Sequence, residues 1–324
     1  MLPQNFSESL SLPAVAAPMF LISGPDLVVE CCKNGVVGTF PALNQRSTEG
    51  FEQWLIEIEN RLSGFVQTNG KPAAPYGVNL IVHKTNPRLY ADVEMIVKHK
   101  VPVVITSLGA VSDIVDAVHS YGGVVFHDVI SKRHAEKAAE AGVDGLILVC
   151  AGAGGHAGTL HPMAFVNEVK QFFNKTILLS GCISTGRDVA SALQIGADLA
   201  YMGTRFINTK ESKADSAYQE MIVESNTNDI VYTAAVSGVN ANFLKPSLEA
   251  AGLTPELWSK AGKIDFGKEL DAAQAEAKAW KTIWSAGQGV TSINDVLSTQ
   301  QLIDNLKKEF RTAIEEQYNL LQKY

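Results

Sequence analysis

A run of apolar β-formers, Leu146-Ile147-Leu148-Val149, breaks into Cys150-Ala151-Gly152-Ala153-Gly154-Gly155-His156-Ala157-Gly158. One imidazole stands in a loop almost free of other side chains. Glycine lacks a Cβ and tolerates positive φ, so backbone amides in such a loop can approach a flat or anionic ligand closely. Imidazole is the side chain best suited to moving a proton near neutral pH. Together they make His156 the candidate chemical centre, set against the plainer reading of an imidazole that only hydrogen-bonds across its loop.

Two glycine turns lie further on, Ser180-Gly181-Cys182-Ile183-Ser184-Thr185-Gly186 and Met202-Gly203-Thr204-Arg205-Phe206. Amides at a short helix N-terminus, approached through glycine, can hold a phosphate without a basic patch. Shaping of tight turns is the alternative use of these glycines. His127-Asp128 follows another apolar run and reads as a ligand contact, a base with its orienting carboxylate, or a satisfied polar pair. His134 and His161 fit surface or capping roles.

Other chemistries find less support. Gly152-x-Gly154-x-x-Ala157 has the form of a dinucleotide fingerprint, but the following strand ends Leu178-Leu179-Ser180-Gly181 without the acidic residue that would hold a ribose. Ser180 and Ser285 lack the G-x-S-x-G elbow of a serine nucleophile. No H-E-x-x-H or carboxylate cluster points to a metal.

The elements that must position these residues repeat along the chain. Strand-like apolar runs recur at 12–16, 36–38, 76–80, 102–105, 123–126, 145–149, 176–179 and 198–201, and helix-patterned segments at 51–62, 87–98, 111–119, 132–141, 162–173 and 187–195 alternate with them. Near-continuous apolar strands linked by helices make a parallel sheet, and eight such units can close into a (β/α)8 TIM barrel. Met19, Asn79, Thr106, His127, Asp128, His156, Gly181 and Gly203 all fall at or just after strand ends, which a closed barrel brings to one rim. An open doubly wound sheet would spread them along an edge. We therefore expect an α/β barrel over 1–209, a smaller helical inserted domain over 210–280, and a C-terminal segment over 281–324 returning to the barrel. That last part carries Trp284-Ser285-Ala286-Gly287-Gln288-Gly289-Val290 and an amphipathic helix near 304–321, which can dock on its own barrel or pair two subunits as a homodimer.

Composition sets the outer bounds. The 324 residues are 46% hydrophobic and 19% charged with a net charge of −7, describing a globular chain with no electrostatic reason to hold nucleic acid or an anionic membrane. Four cysteines with one adjacent pair and no C-x-x-C suggest neither a disulfide framework nor a zinc site. The N-terminal stretch contains Glu8 and no basic n-region, so its apolar part reads as core rather than signal sequence. No apolar run reaches the roughly 20 residues of a bilayer span. These features together lead us to expect a cytoplasmic protein.

Ala17-Pro18-Met19, Gly77-Val78-Asn79, Gly154-Gly155-His156-x-Gly158, Ser180-Gly181 and Gly203-Thr204-Arg205-Phe206 occur in an order that resembles the nitronate monooxygenases, formerly called 2-nitropropane dioxygenases. The likeness spans most of the chain. It implies a flavoprotein oxidoreductase binding FMN on a barrel. By that resemblance Met19 and Asn79 line the isoalloxazine with Ala17 beside them. Ala151, Gly152 and Gly155 pack near the ring, Ser180, Gly181, Gly203 and Thr204 bind the phosphate, and His127 contacts the flavin. His156 is then the catalytic base that removes the α-proton of a nitroalkane or steadies its nitronate, with O2 as the oxidant. The insert reads Ser237-Gly238-Val239-Asn240-Ala241-Asn242-Phe243-Leu244 and lacks the Arg-rich version of some relatives. Flavin-dependent enoyl-acyl-carrier-protein reductases and NADH:quinone reductases share the histidine loop, so an NAD(P)H-dependent flavin reductase is the alternative enzyme. A barrel holding a sugar phosphate, or binding a ligand without catalysis, is the reading outside redox chemistry.

Overall fold

The computed structural model describes residues 4–109, 112–236, 238–258 and 283–324. Eight parallel strands close in the order β1 (Ala14–Ala16), β2 (Val37–Pro41), β3 (Tyr76–Ile81), β4 (Val103–Ser107), β5 (Val124–Val129), β6 (Gly145–Val149), β8 (Thr176–Ser180) and β9 (Leu199–Met202). Closure is made by β1 beside β9, with Val15 opposite Tyr201. All eight expected runs are strands, with ends shifted by a few residues. The fold is the expected TIM barrel.

Side-chain alternation along each strand builds two separate apolar layers. Val15, Val37, Val103, Ile105, Phe126, Ile147, Leu178 and Leu199 point inward and fill the barrel. Their neighbours, such as Val104, Val125, Leu146, Leu148, Ile177 and Ala200, point outward beneath the helices. Phe6, on the short helix Gln4–Ser9, is fully buried and meets Phe126 edge-on at 6.0 Å, plugging the barrel floor. The barrel is therefore a packed core, and a ligand has access at its mouth.

The helices start where polar caps predict. Ser47 accepts from Gly50 N before Thr48–Leu62, and Ser131 accepts from His134 N before Lys132–Glu140. Thr185 and Asp188 make a capping box before Gly186–Gln194. The expected helix at 111–119 is described as Ser112–His119, its first residue lying outside the described residues.

The segment after residue 210 departs from a purely helical reading. It holds the helices Ser216–Glu224 and Lys245–Ala250, and also β10 (Ile230–Thr233) and β11 (Ala241–Leu244). These pair with each other and with β7 (Gly155–His156) in a three-stranded antiparallel sheet. Such short runs give too little periodicity to be read as strands, and a barrel loop completes their sheet. Ser237 and the expected helices over 259–280 lie outside the described residues.

The C-terminal helix, Thr299–Leu321, docks on its own barrel. It buries Leu302, Ile303 and Leu306, and Glu309 Oε2 accepts from Gly186 N at 2.6 Å. Gly186 is required there, because a Cβ would stand 2.0 Å from the Leu306 carbonyl oxygen. Among the described residues no helix is long and apolar enough to cross a membrane.

Candidate active site

At the C-terminal ends of the strands the glycine loop 151–155, the turns after β8 and β9, and residues 284–290 meet. Gly152 (φ +80°) and Gly155 (φ +70°) take the left-handed conformation that favours glycine. Two hydrogen bonds tie this loop to the C-terminal segment, Gln288 N donating to Gly152 O at 2.9 Å and Gly155 N to Ser285 Oγ at 2.6 Å, and Gly287 N donates to Thr204 Oγ1 of the turn after β9 at 2.9 Å. Ser285 Oγ donates to Asn242 O at 2.8 Å, and Asn242 Nδ2 donates to Ala153 O at 2.7 Å. Tyr218 supports the same segment by donating to Ser285 O and by stacking on Trp284 at 5.0 Å.

His156 emerges from this scaffold on β7, where it pairs with Ala241 of β11. Ala157, next in the chain, accepts from Tyr232 Oη at 3.0 Å. The imidazole is therefore held by an edge of sheet rather than by a free loop. It keeps an exposed face, yet the protein around the ring disfavours the cation and lowers its pKa below the ordinary value. A neutral imidazole at pH 7 can accept a proton.

The two glycine turns form one shallow depression. Ser180, Gly181, Cys182, Ser184, Gly203 and Thr204 line it, Tyr201 forms a wall, and Gly287 and Gly289 close it. Gly181 has φ +127°, and Cys182 at +56° carries the same handedness without being glycine. A Cβ on Gly181 would stand 2.9 Å from Ala151 O, so Ala151 sets the depth of the turn. Ser184 Oγ is buried there without a hydrogen-bond partner. The helix Gly186–Gln194 offers less than the sequence suggested, because Asp188 already accepts from the amides of Ser184 and Thr185, and Glu309 from that of Gly186.

Beside the depression lie the remaining expected contacts. Ala17 faces the barrel interior, and a Cβ on Gly203 would meet Ala17 Cβ at 3.8 Å and Met19 Sδ at 4.0 Å, both ordinary contacts. Asn79 is buried on the inner face of β3 and donates to Ser107 Oγ at 2.8 Å. Ala17, Met19, Asn79, Tyr201 and Gly203 thus share the barrel mouth.

His127 is the exception. It lies within β5, and alternation from the inward Phe126 turns it to the helix side, where it is buried and shares a 2.7 Å hydrogen bond with Thr106 Oγ1. Burial first, and the His134 charge second, lower its pKa to about 4. The expected flavin contact at this position is corrected to a packed structural imidazole. Asp128 is the member of the pair that faces inward, so it cannot act as the orienting carboxylate of His127.

Sequence reasoning did not single out Asn242, Tyr218, Gly287 and Gln288, or the roles of Ser107, Ser184 and Ser285 in this region. The Gly287-Gln288-Gly289 triplet is the one local signal that a tight backbone approach occurs there.

A closed (β/α)8 barrel with glycine turns after its last two strands, and with His156 two residues beyond the Gly154 that lines their depression, is a scaffold able to hold a phosphate-bearing ligand at its mouth. The nitronate monooxygenase family model matches residues 43–309, and the chain belongs to that family. It is accordingly a flavin-dependent oxidoreductase. The nitronate monooxygenase of Paraburkholderia phytofirmans is 24% identical, over 94% of this chain and 93% of that protein. FabK from Thermotoga maritima superposes with a TM-score of 0.80 at 23% identity, covering 99% of this chain and 100% of that one. A nitroalkane oxidase from Streptomyces ansochromogenes gives 0.77 at 21% identity, covering 97% and 100%. Both superpositions speak to the fold.

Proposed function

We propose that this protein binds FMN across the barrel mouth and oxidises alkyl nitronates, or nitroalkanes after proton removal, with O2 to a carbonyl compound and nitrite. The observation that carries the reading is a glycine-lined depression after β8 and β9 beside Ala17 and Met19 at the barrel mouth, with His156 two residues beyond the Gly154 that lines it. Relatives named nitronate monooxygenase support the substrate class.

The residues present fit the cofactor. Ser184 Oγ is a buried hydroxyl in need of a partner, and a phosphate oxygen would accept from it. Gly181, Gly203 and Thr204, with Ser180 beside them, leave backbone room for that phosphate without any cation, in keeping with the acidic chain. Ala17, Met19 and Asn79 would hold the ring, with Ala151, Gly152 and Gly155 packing along it. Bound FMN would supply the two-electron redox chemistry that links substrate oxidation to O2.

The chain's own task is the proton. His156, kept neutral by its surroundings, accepts the α-proton of a neutral nitroalkane, and the resulting imidazolium stabilises the nitronate charge beside it. Ser285 and Tyr232 hold the backbone on either side of His156, through Gly155 and Ala157, and so limit how far the residue can move.

Mixing flavin-loaded protein anaerobically with an alkyl nitronate tests this reading. Bleaching of the flavin by nitronate, with nitrite appearing when air is admitted, is the expected result. Rapid bleaching by NADH or NADPH and none by nitronate would assign the protein to the pyridine-nucleotide-dependent reductases instead.

A further inference from the structure

Asn79, Ser107 and Asp128, on the adjacent strands β3, β4 and β5, form a hydrogen-bond chain whose direction is fixed. Asn79 Nδ2 donates to Ser107 Oγ at 2.8 Å, and Ser107 Oγ donates to Asp128 Oδ2 at 2.5 Å. An amide nitrogen only donates, so the single serine proton must be turned toward the carboxylate. The other carboxylate oxygen, Oδ1, is buried and has no hydrogen-bond partner.

Apart from the Ser107 hydrogen bond, the described surroundings of Asp128 do little to balance its charge. The barrel interior beneath it is apolar, with Ile105 from β4, Phe126 from β5, and Ile147 and Val149 from β6. Tyr201 from β9 is the titratable group on this inner face, and its own pKa is raised by burial and by the Asp128 charge, so it stays neutral. His127 lies on the opposite face of β5, and no cation among the described residues acts on the carboxyl. Burial pushes the Asp128 pKa up to about 6, against the opposing pull of the Ser107 hydrogen bond. A second negative charge placed in the same mouth would disfavour the ionised carboxylate further.

We propose that Asp128 is a redox-linked proton acceptor. Its carboxylate binds one proton from solvent when the flavin in the barrel mouth receives two electrons from the substrate, and releases that proton on reoxidation. Proton uptake thus offsets part of the negative charge that reduction brings into a poorly solvated site. The proposal rests on the reading that places the flavin ring beside Ala17, Met19 and Asn79, but not on the identity of the electron donor.

The test is the midpoint potential of the flavin-loaded protein, wild type and Asp128→Asn, at a series of pH values on both sides of about 6. Taking the difference between the two proteins cancels the flavin's own protonation. That difference should stay constant on the acid side, widen by about 30 mV per pH unit above the break, the value for one proton per two electrons, and level off above the higher carboxyl pKa of the reduced protein, with the variant at the higher potential. Ser107→Ala removes the hydrogen bond that lowers the carboxyl pKa and should move the break to higher pH; it decides the matter alone if Asp128→Asn does not hold flavin. A reduced-minus-oxidised infrared spectrum should show a protonated carboxyl band that Asp128→Asn lacks. A pH-independent difference, or a break unmoved by Ser107→Ala, would overturn the proposal. A chain that binds no flavin would overturn the underlying site reading as well, which keeps the two failures distinct.

Discussion

At the scale of single residues, the chemistry depends on an imidazole that stays neutral and a carboxylate that resists ionisation. His156→Ala should leave flavin bound while turnover of neutral nitroalkane falls by about 10²–10⁴, the usual loss for a missing general base. With preformed nitronate the loss should be smaller, since that proton is already gone, and steady-state assays on both substrates separate the cases. Because the His156 pKa is lowered, the base form is present at neutral pH and disappears only as pH falls through that lowered value. The acid limb of kcat/KM for nitroalkane should therefore lie below the ordinary imidazole range, and a limb above it would contradict the assignment. Asp128 carries the opposite sign in stability. Its folded pKa of about 6 exceeds the ordinary carboxyl value of 3.8, so the folded state binds more protons between those values and stability drops as pH rises through that window. Asp128→Asn should thus gain stability relative to wild type on going from about pH 5 to pH 7 in thermal denaturation, and a relative loss would show that the carboxylate is better compensated than its contacts suggest.

At the scale of elements, the site depends on how close backbones come to each other. A methyl on Gly203 meets only ordinary contacts at 3.8 and 4.0 Å, and its φ of −102° suits any residue. Gly203→Ala should fold with stability changed by less than about 0.5 kcal/mol, yet bind FMN more weakly because the methyl projects toward Ala17 and Met19, where the ring is proposed to lie; flavin fluorescence titration measures this, and unchanged affinity would move the ring elsewhere. Gly186→Ala is the contrasting case. Its Cβ would collide with the Leu306 carbonyl oxygen, so the C-terminal helix must shift, at a cost of about 1–3 kcal/mol, the usual range for overpacking. Calorimetry should show that loss, and limited proteolysis should begin at that helix.

The same scale explains what the sequence made legible. The eight barrel strands are buried on both faces and spell themselves as apolar runs, and Ser47, Ser131 and Thr185 mark helix starts by local chemistry. The two glycine turns and His156 were likewise visible as residue types out of place. Hidden from that reading was the face of each strand residue. A shift of one position exchanges inside for outside, which is why His127 rather than Asp128 seemed the ligand contact. The small sheet was hidden too, because β10 and β11 are four-residue strands completed by a loop more than seventy positions earlier. Likewise the contacts of Ser285, Gly287 and Gln288 with the glycine loop are long-range and leave no periodic trace.

At the scale of the whole molecule, the barrel mouth is finished by parts of the chain that are remote in sequence. Arg205, buried in the turn after β9, donates to Asp295 Oδ1 at 2.6 Å and to the Asp295 carbonyl at 3.2 Å, tying the segment that closes the cradle to the strand that opens it. Flavin binding should therefore stabilise barrel and C-terminal segment together, by about 2.7 kcal/mol at a hundredfold excess over Kd. The most direct measurement is a crystal structure of the flavin-loaded protein. The flavin phosphate should lie within hydrogen-bonding distance of Ser184 Oγ and the turn at Gly203 and Thr204, with the ring running past Met19 and Asn79 beneath His156. A phosphate held outside these turns, or a ring remote from His156, would contradict this placement.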